Sequence, residues 1–146
     1  MTTVQEKQQV ESVIQEWRSA FAAKDMARVK SLWDQSYSQL LYIAEENNDH
    51  LSGWSAIDEY YNAIPASVGD MDWAIDNLTV DVIGDMAYAY LTFHVEASVP
   101  SLNRTLVANG RDTFVLRRTG GQWRIIHYHE SLSRDRSHEM WGFLWE

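Results

Sequence analysis

Near the C-terminal end of the chain His127, His129 and Ser131 occupy alternate positions, and Arg111, Thr113 and Val115 do the same upstream. On β-strands that spacing puts each set on one face. An imidazole titrates close to neutral pH and can take or give a proton there. A guanidinium in a hollow of low dielectric holds a carboxylate or a developing oxyanion. The expected catalytic set is therefore His129, His127 and Arg111, with His129, nearer the strand end, as the better proton-transfer group. Trp123 and Ile125 continue the histidine row, and this apolar pair is expected to point it inward. Two plainer roles stand beside these: His127 as a hydrogen-bonded core residue, and Arg111 as a buried partner of Asp76 or Glu45. A His127-x-His129 pair could also chelate a metal with Glu96, although strand parity sets Glu96 on the opposite face. No metal and no cofactor are expected.

Seven Trp, seven Tyr and four Phe make the chain 12% aromatic, enough for both a core and the wall of a pocket for flat molecules. Trp17, Trp33 and Tyr61 lie on apolar helix faces, where core packing is the default and one or two could reach a ligand. Together with Thr113 and Ser131 they are the expected substrate-binding residues.

The elements that must position these groups can be read from hydrophobic period. Val10, Ile14, Trp17 and Phe21 mark one face of a first helix. Asp25 caps a short second helix with Met26, Val29, Leu32 and Trp33 on its apolar side. Tyr37 to Ala44 reads as a strand, and Glu45 to Leu51 as a polar loop. Ser52 or Gly53 opens a third helix with Trp54, Ile57, Tyr61 and Ile64, which Pro65 is expected to stop. Four long strands follow. Gly84-Asp85 and Thr119-Gly120-Gly121 signal hairpins, and Ala87, Ala89, Leu91, Phe93 and Val95 alternate along one face. Helices gathered on one side of an antiparallel sheet make an α+β domain. The expected form is a cone-shaped α+β barrel, three N-terminal helices packed on a curved, mostly antiparallel sheet around a hollow.

At 146 residues with a formal charge of −9, the chain suits a single domain spanning 1–146. Its charge is uneven: residues 1–100 carry 5 basic and 16 acidic groups, and residues 101–146 carry 7 Arg and 5 acids. Without a Lys/Arg run, nucleic-acid binding is not expected. No stretch of about 20 apolar residues suggests a membrane span, and Met1 to Gln9 is too polar for a signal peptide, so a cytoplasmic location is expected. The absence of Cys excludes thiolate nucleophiles, disulfides and Cys-bound zinc. Residues 134–146, with Met140, Trp141, Phe143, Leu144 and Trp145, are too apolar for a solvated tail. They are expected to pack on the outer sheet, to cover a subunit edge, or to close the mouth of the hollow as a lid.

The stretch GRDTFVLRRTGGQWRIIHYHES (Gly110 to Ser131), preceded by GWSAIDEYY (Gly53 to Tyr61), resembles the SnoaL-like branch of the nuclear transport factor 2-like, or ketosteroid isomerase-like, superfamily. The resemblance runs from about Val10 to Ser133. It implies the cone fold and a site within it, but not one reaction, because the fold hosts isomerases, cyclases, dehydratases, hydrolases and association domains. The catalytic Tyr and Asp positions of ketosteroid isomerases hold Trp17 and Leu41 in this chain, which argues against that machinery.

Taken together, the expected function is a cofactor-independent lyase/dehydratase or isomerase/cyclase. It would act by proton abstraction on a small aromatic or polyketide-like molecule. The alternative is a non-catalytic ligand-binding or association domain. A homodimer is expected through the outer sheet face, where Tyr88, Tyr90, Thr92 and His94 would lie beside Ile126 and Tyr128.

Overall fold

The computed structural model describes residues 2–45 and 47–133; the aromatic segment 134–146 and its expected lid or packing role lie outside them. Helix α1 (Thr3–Ala22) begins in a capping box, in which the Thr2 hydroxyl accepts from the Gln5 N–H and the Gln5 side chain accepts from the Thr2 N–H. Its buried stripe is Val10, Ile14, Trp17, Ala20 and Phe21. Asp25 caps α2 (Met26–Ser31) by accepting from the Arg28 N–H at 3.3 Å. Gly53, at φ +84°, supplies the turn into α3 (Trp54–Ser67). Pro65 does not stop that helix; it sits in its last turn, and the chain becomes extended only at Val68. A proline near a helix end forfeits one hydrogen bond, which is tolerable when little helix remains to follow it.

Strands β1 (Leu41–Ile43), β2 (Leu51–Ser52), β3 (Met71–Ile83), β4 (Met86–Val99), β5 (Arg104–Thr119) and β6 (Gln122–Leu132) form one sheet in the order β2-β1-β6-β5-β4-β3. Among these strands only the β1–β6 pairing is parallel. The expected strand at 37–44 contracts to three residues, and part of the expected loop forms β2. Gly84-Asp85 and Gly120-Gly121 make the two-residue hairpin turns, the latter pair at φ +58° and +76°. The three helices pack on this mostly antiparallel sheet, the α+β cone expected from the sequence. No helix among the described residues is long and apolar enough to cross a membrane.

Two irregularities interrupt the ladders. On β3 the register shifts between Asp76 and Thr79, around Asn77 at φ +54°. On β6, Val115 pairs with His127 while Leu116 pairs with Ile125, leaving Ile126 as an extra residue. This is a β-bulge: two residues of one strand oppose one of its neighbour, and alternation resumes out of phase beyond it. Trp123, Ile125, Ile126 and Tyr128 are all buried.

Candidate functional site

Because of the bulge, the part of β6 beyond Ile126 presents Tyr128, Glu130 and Leu132 to the concave side. These residues line a cavity of about 280 Å³. Its walls come from the end of α1 (Phe21), β1 (Tyr42), α3 (Tyr60, Ile64) and β3 to β6. Trp73 and Phe93 stack at 4.5 Å on one side, and Tyr42 stacks on Tyr128 at 4.7 Å on the other. Leu106, Ala108 and Leu132 extend the apolar lining, and Glu45 and Glu130 are its carboxyl groups.

The chemistry gathers around the Tyr128 phenol. Its oxygen lies 3.0 Å from Asp112 Oδ1 and 2.8 Å from Glu130 Oε2. Asp112 is 1% exposed, directly across the β5–β6 ladder from Glu130. The other Glu130 oxygen, Oε1, accepts from the Glu45 N–H at 3.2 Å. A phenol carries one hydrogen, so the Tyr128 hydroxyl shares it between the two carboxyl groups. Burial, and then the charges of Asp112 and Glu130, push the Tyr128 pKa well above its ordinary value. The phenol therefore stays protonated and serves as a donor.

The expected site residues fall elsewhere. His127, His129, Arg111 and Thr113 do not face the hollow. They lie on the opposite side of the sheet, His127 half-buried, His129 and Arg111 exposed. The cause is the bulge, which reverses the parity counted from Trp123 and Ile125. The His127 and His129 rings are 6.1 Å apart. Burial, then repulsion from His129, lowers the His127 pKa. Arg111 pairs with neither Asp76 nor Glu45; its Nε donates to Ser131 Oγ at 3.1 Å and its Nη2 to the Leu132 carbonyl at 3.2 Å. Ser131 thus belongs to the outer face as well.

Trp17, Trp33 and Tyr61 are core residues, each at most 2% exposed. The Tyr61 hydroxyl accepts from Trp33 Nε1 at 3.0 Å and from Trp17 Nε1 at 3.5 Å. They support the cavity wall from behind and are not part of it. Glu96 shares the outer face with His127, contrary to the parity count, but its carboxylate lies 3.2 Å from His94 Nε2. No group of three His, Asp or Glu with metal-binding geometry occurs among the described residues.

The residues that the sequence reading passed over are Asp112, Tyr128, Glu130, Tyr42 and Tyr60. One signal for them was present: Asp112, Phe114 and Leu116 alternate, an acid embedded in the most apolar row of β5. A buried acid in such a row is rarely idle.

A model of the SnoaL-like domain matches residues 10–135. The chain belongs to the SnoaL-like family. Solved structures agree on the fold of this SnoaL-like chain. A nuclear transport factor 2-like superfamily protein from Salmonella enterica superposes with a TM-score of 0.84 at 23% identity, covering 95% of this chain and 99% of that one. A proposed dehydratase of the same fold family from Streptomyces avermitilis gives 0.82 at 20% identity, over 92% and 100%. A proposed calcium/calmodulin-dependent kinase II association domain from Xanthomonas campestris gives 0.71 at 19%, over 86% of each. Among curated proteins nothing matches the sequence. Likeness at these identities establishes the fold and leaves the reaction to be argued from the site.

Proposed function

We propose that this SnoaL-like chain is a cofactor-independent enzyme that moves a proton on a small aromatic or polyketide-like molecule held in the cavity. The outcome would be elimination, isomerisation or cyclisation, as in a lyase/dehydratase or isomerase/cyclase. The observation that carries this reading is the Asp112–Tyr128–Glu130 group within an aromatic hollow. Glu130 is the proton acceptor: it lines the cavity, and the Glu45 N–H and the Tyr128 hydroxyl fix its orientation. Buried Asp112 takes the other side of the Tyr128 hydroxyl and fixes the phenol beside Glu130. After abstraction Glu130 carries the proton and returns it to the substrate at another atom or to a departing hydroxyl. The two-carboxyl arrangement gives base and acid distinct environments, the general requirement for such chemistry at neutral pH.

The test begins with a screen of aromatic catabolic and polyketide intermediates, followed through the fluorescence of Trp73 in the cavity wall. For a substrate so found, Glu130→Gln should lower kcat about a hundredfold or more. The double variant His127→Ala/His129→Ala should turn over normally. Unchanged kcat in a folded Glu130→Gln protein would remove this assignment. A second reading, a non-catalytic association domain, draws support from the weakly charged outer sheet face with Tyr88 41% exposed and from the Xanthomonas neighbour. The same face supports a homodimer, which either reading accommodates.

A further inference from the structure

We infer that the cavity selects flat ligands that are neutral or positively charged and rejects carboxylates and phosphates. This deepens the proposed function and rests on the cavity being where the ligand sits. Among the described residues that line it there is no Lys, Arg or His, whereas Glu45 and Glu130 both do. Asp112 stands directly behind Tyr128. An anion brought into such a hollow would be stripped of water without a counter-charge, which disfavours its entry.

Two donors of the wall are already committed. Tyr128 donates within the carboxyl group, and the Trp73 indole N–H is directed at Met71 Sδ, 3.0 Å away. Two cations approach the wall from outside, and each is held on a backbone carbonyl: Arg18 Nη1 on that of Trp73 at 2.9 Å and Lys24 Nζ on that of Val68 at 3.3 Å. The aromatic faces act in the same sense, since their negative quadrupoles attract cations and repel anions. The chemistry that fits is an aromatic ring bearing a hydroxyl or a protonated amine, which donates to Glu130.

Three naphthalene probes of equal size test this with the full chain at neutral pH: 2-naphthylmethylammonium, 2-naphthalenemethanol and 2-naphthoate, titrated by calorimetry. The ammonium and the alcohol should bind, and the naphthoate should bind at least about tenfold more weakly than either. The double variant Glu45→Gln/Glu130→Gln should shrink that gap to within about threefold. Ala108→Phe, which fills the cavity, should abolish binding of all three. Naphthoate binding as tightly as the alcohol in the unmodified protein would overturn the inference while leaving proton transfer by Glu130 standing. Binding that survives Ala108→Phe would overturn it by placing the probes elsewhere, and no binding of any probe would overturn both this inference and the proposed function. Charge selection as described, with kcat indifferent to Glu130→Gln, would sink the proposed function alone.

Discussion

Tyr61 shows how a single oxygen can hold a core together. Its hydroxyl is the acceptor for the Trp33 indole N–H and lies within reach of that of Trp17, all three rings being buried. Burial raises the Tyr61 pKa strongly, and the two indole hydrogen bonds oppose that rise in part, so the hydroxyl stays neutral. Tyr61→Phe would leave the Trp33 donor buried without a partner. The expected loss is about 1–3 kcal/mol, read as a lower urea midpoint with an unchanged slope. The outer-face histidines make a second prediction at this scale. The His127 pKa is lowered from 6.5, first by burial and then by His129. Its folded form therefore binds fewer protons than its unfolded form, and its contribution to stability, complete above 6.5, is lost as pH falls below that value. The His94 pKa is raised, first by its hydrogen bond with Asn109 and then by that with Glu96. Its contribution has the opposite sign: present below 6.5 and lost as pH rises through the raised value. His127→Gln should flatten the acid side of the stability–pH curve and His94→Gln the side above 6.5, both measured by urea unfolding. Identical curves for the two variants would contradict the assignment.

At the scale of elements, Gly110 marks a place where β5 passes too close to its neighbours for a side chain. A Cβ there would meet Phe93 Cζ at 2.5 Å and the Ser131 carbonyl oxygen at 2.6 Å. Gly110→Ala should cost about 1–3 kcal/mol, seen as a lower melting temperature. Adding Phe93→Leu should not restore it, because the backbone oxygen of Ser131 remains in the way. The fold itself was legible: apolar residues at helical spacing marked α1 and α3, and Gly84-Asp85 and Gly120-Gly121 marked the two hairpins. The site was not, for a reason located at Ile125 and Ile126. Two adjacent apolar residues are both buried at the bulge, and nothing in their types marks where one of them drops out of the ladder. Counting by twos from Trp123 then assigns every later residue of β6 to the wrong side. On β5 the alternation of Asp112, Phe114 and Leu116 carried the right parity.

For the whole molecule, the same parity reversal redraws the surface on which two copies would meet. Ile126 and Tyr128 are buried and leave the outer face; His127 and His129 take their place. In register across the sheet, one row is Leu41, His127, Val115 and Tyr88, and the next is Ile43, His129, Thr113 and Tyr90. Neither row carries a carboxylate or a permanent cation on these four strands. Asp81, opposite Tyr88 on β3, and Arg111, in the row beyond, bound the patch, with Arg124 and the His94–Glu96 pair farther out. An aromatic, weakly charged centre with a charged rim is the composition of a subunit contact, and a two-fold axis would set this patch against itself. The expected mass by light scattering is therefore twice the 16.9 kDa of one chain. Tyr90→Lys would place two ammonium groups near the axis and should return the mass to that of one chain, with the cavity and its ligand affinity intact. Protonating His127 would likewise bring like charges together, so dissociation should increase as pH falls below 6.5. A dimer indifferent to both changes would have to be joined through some other surface.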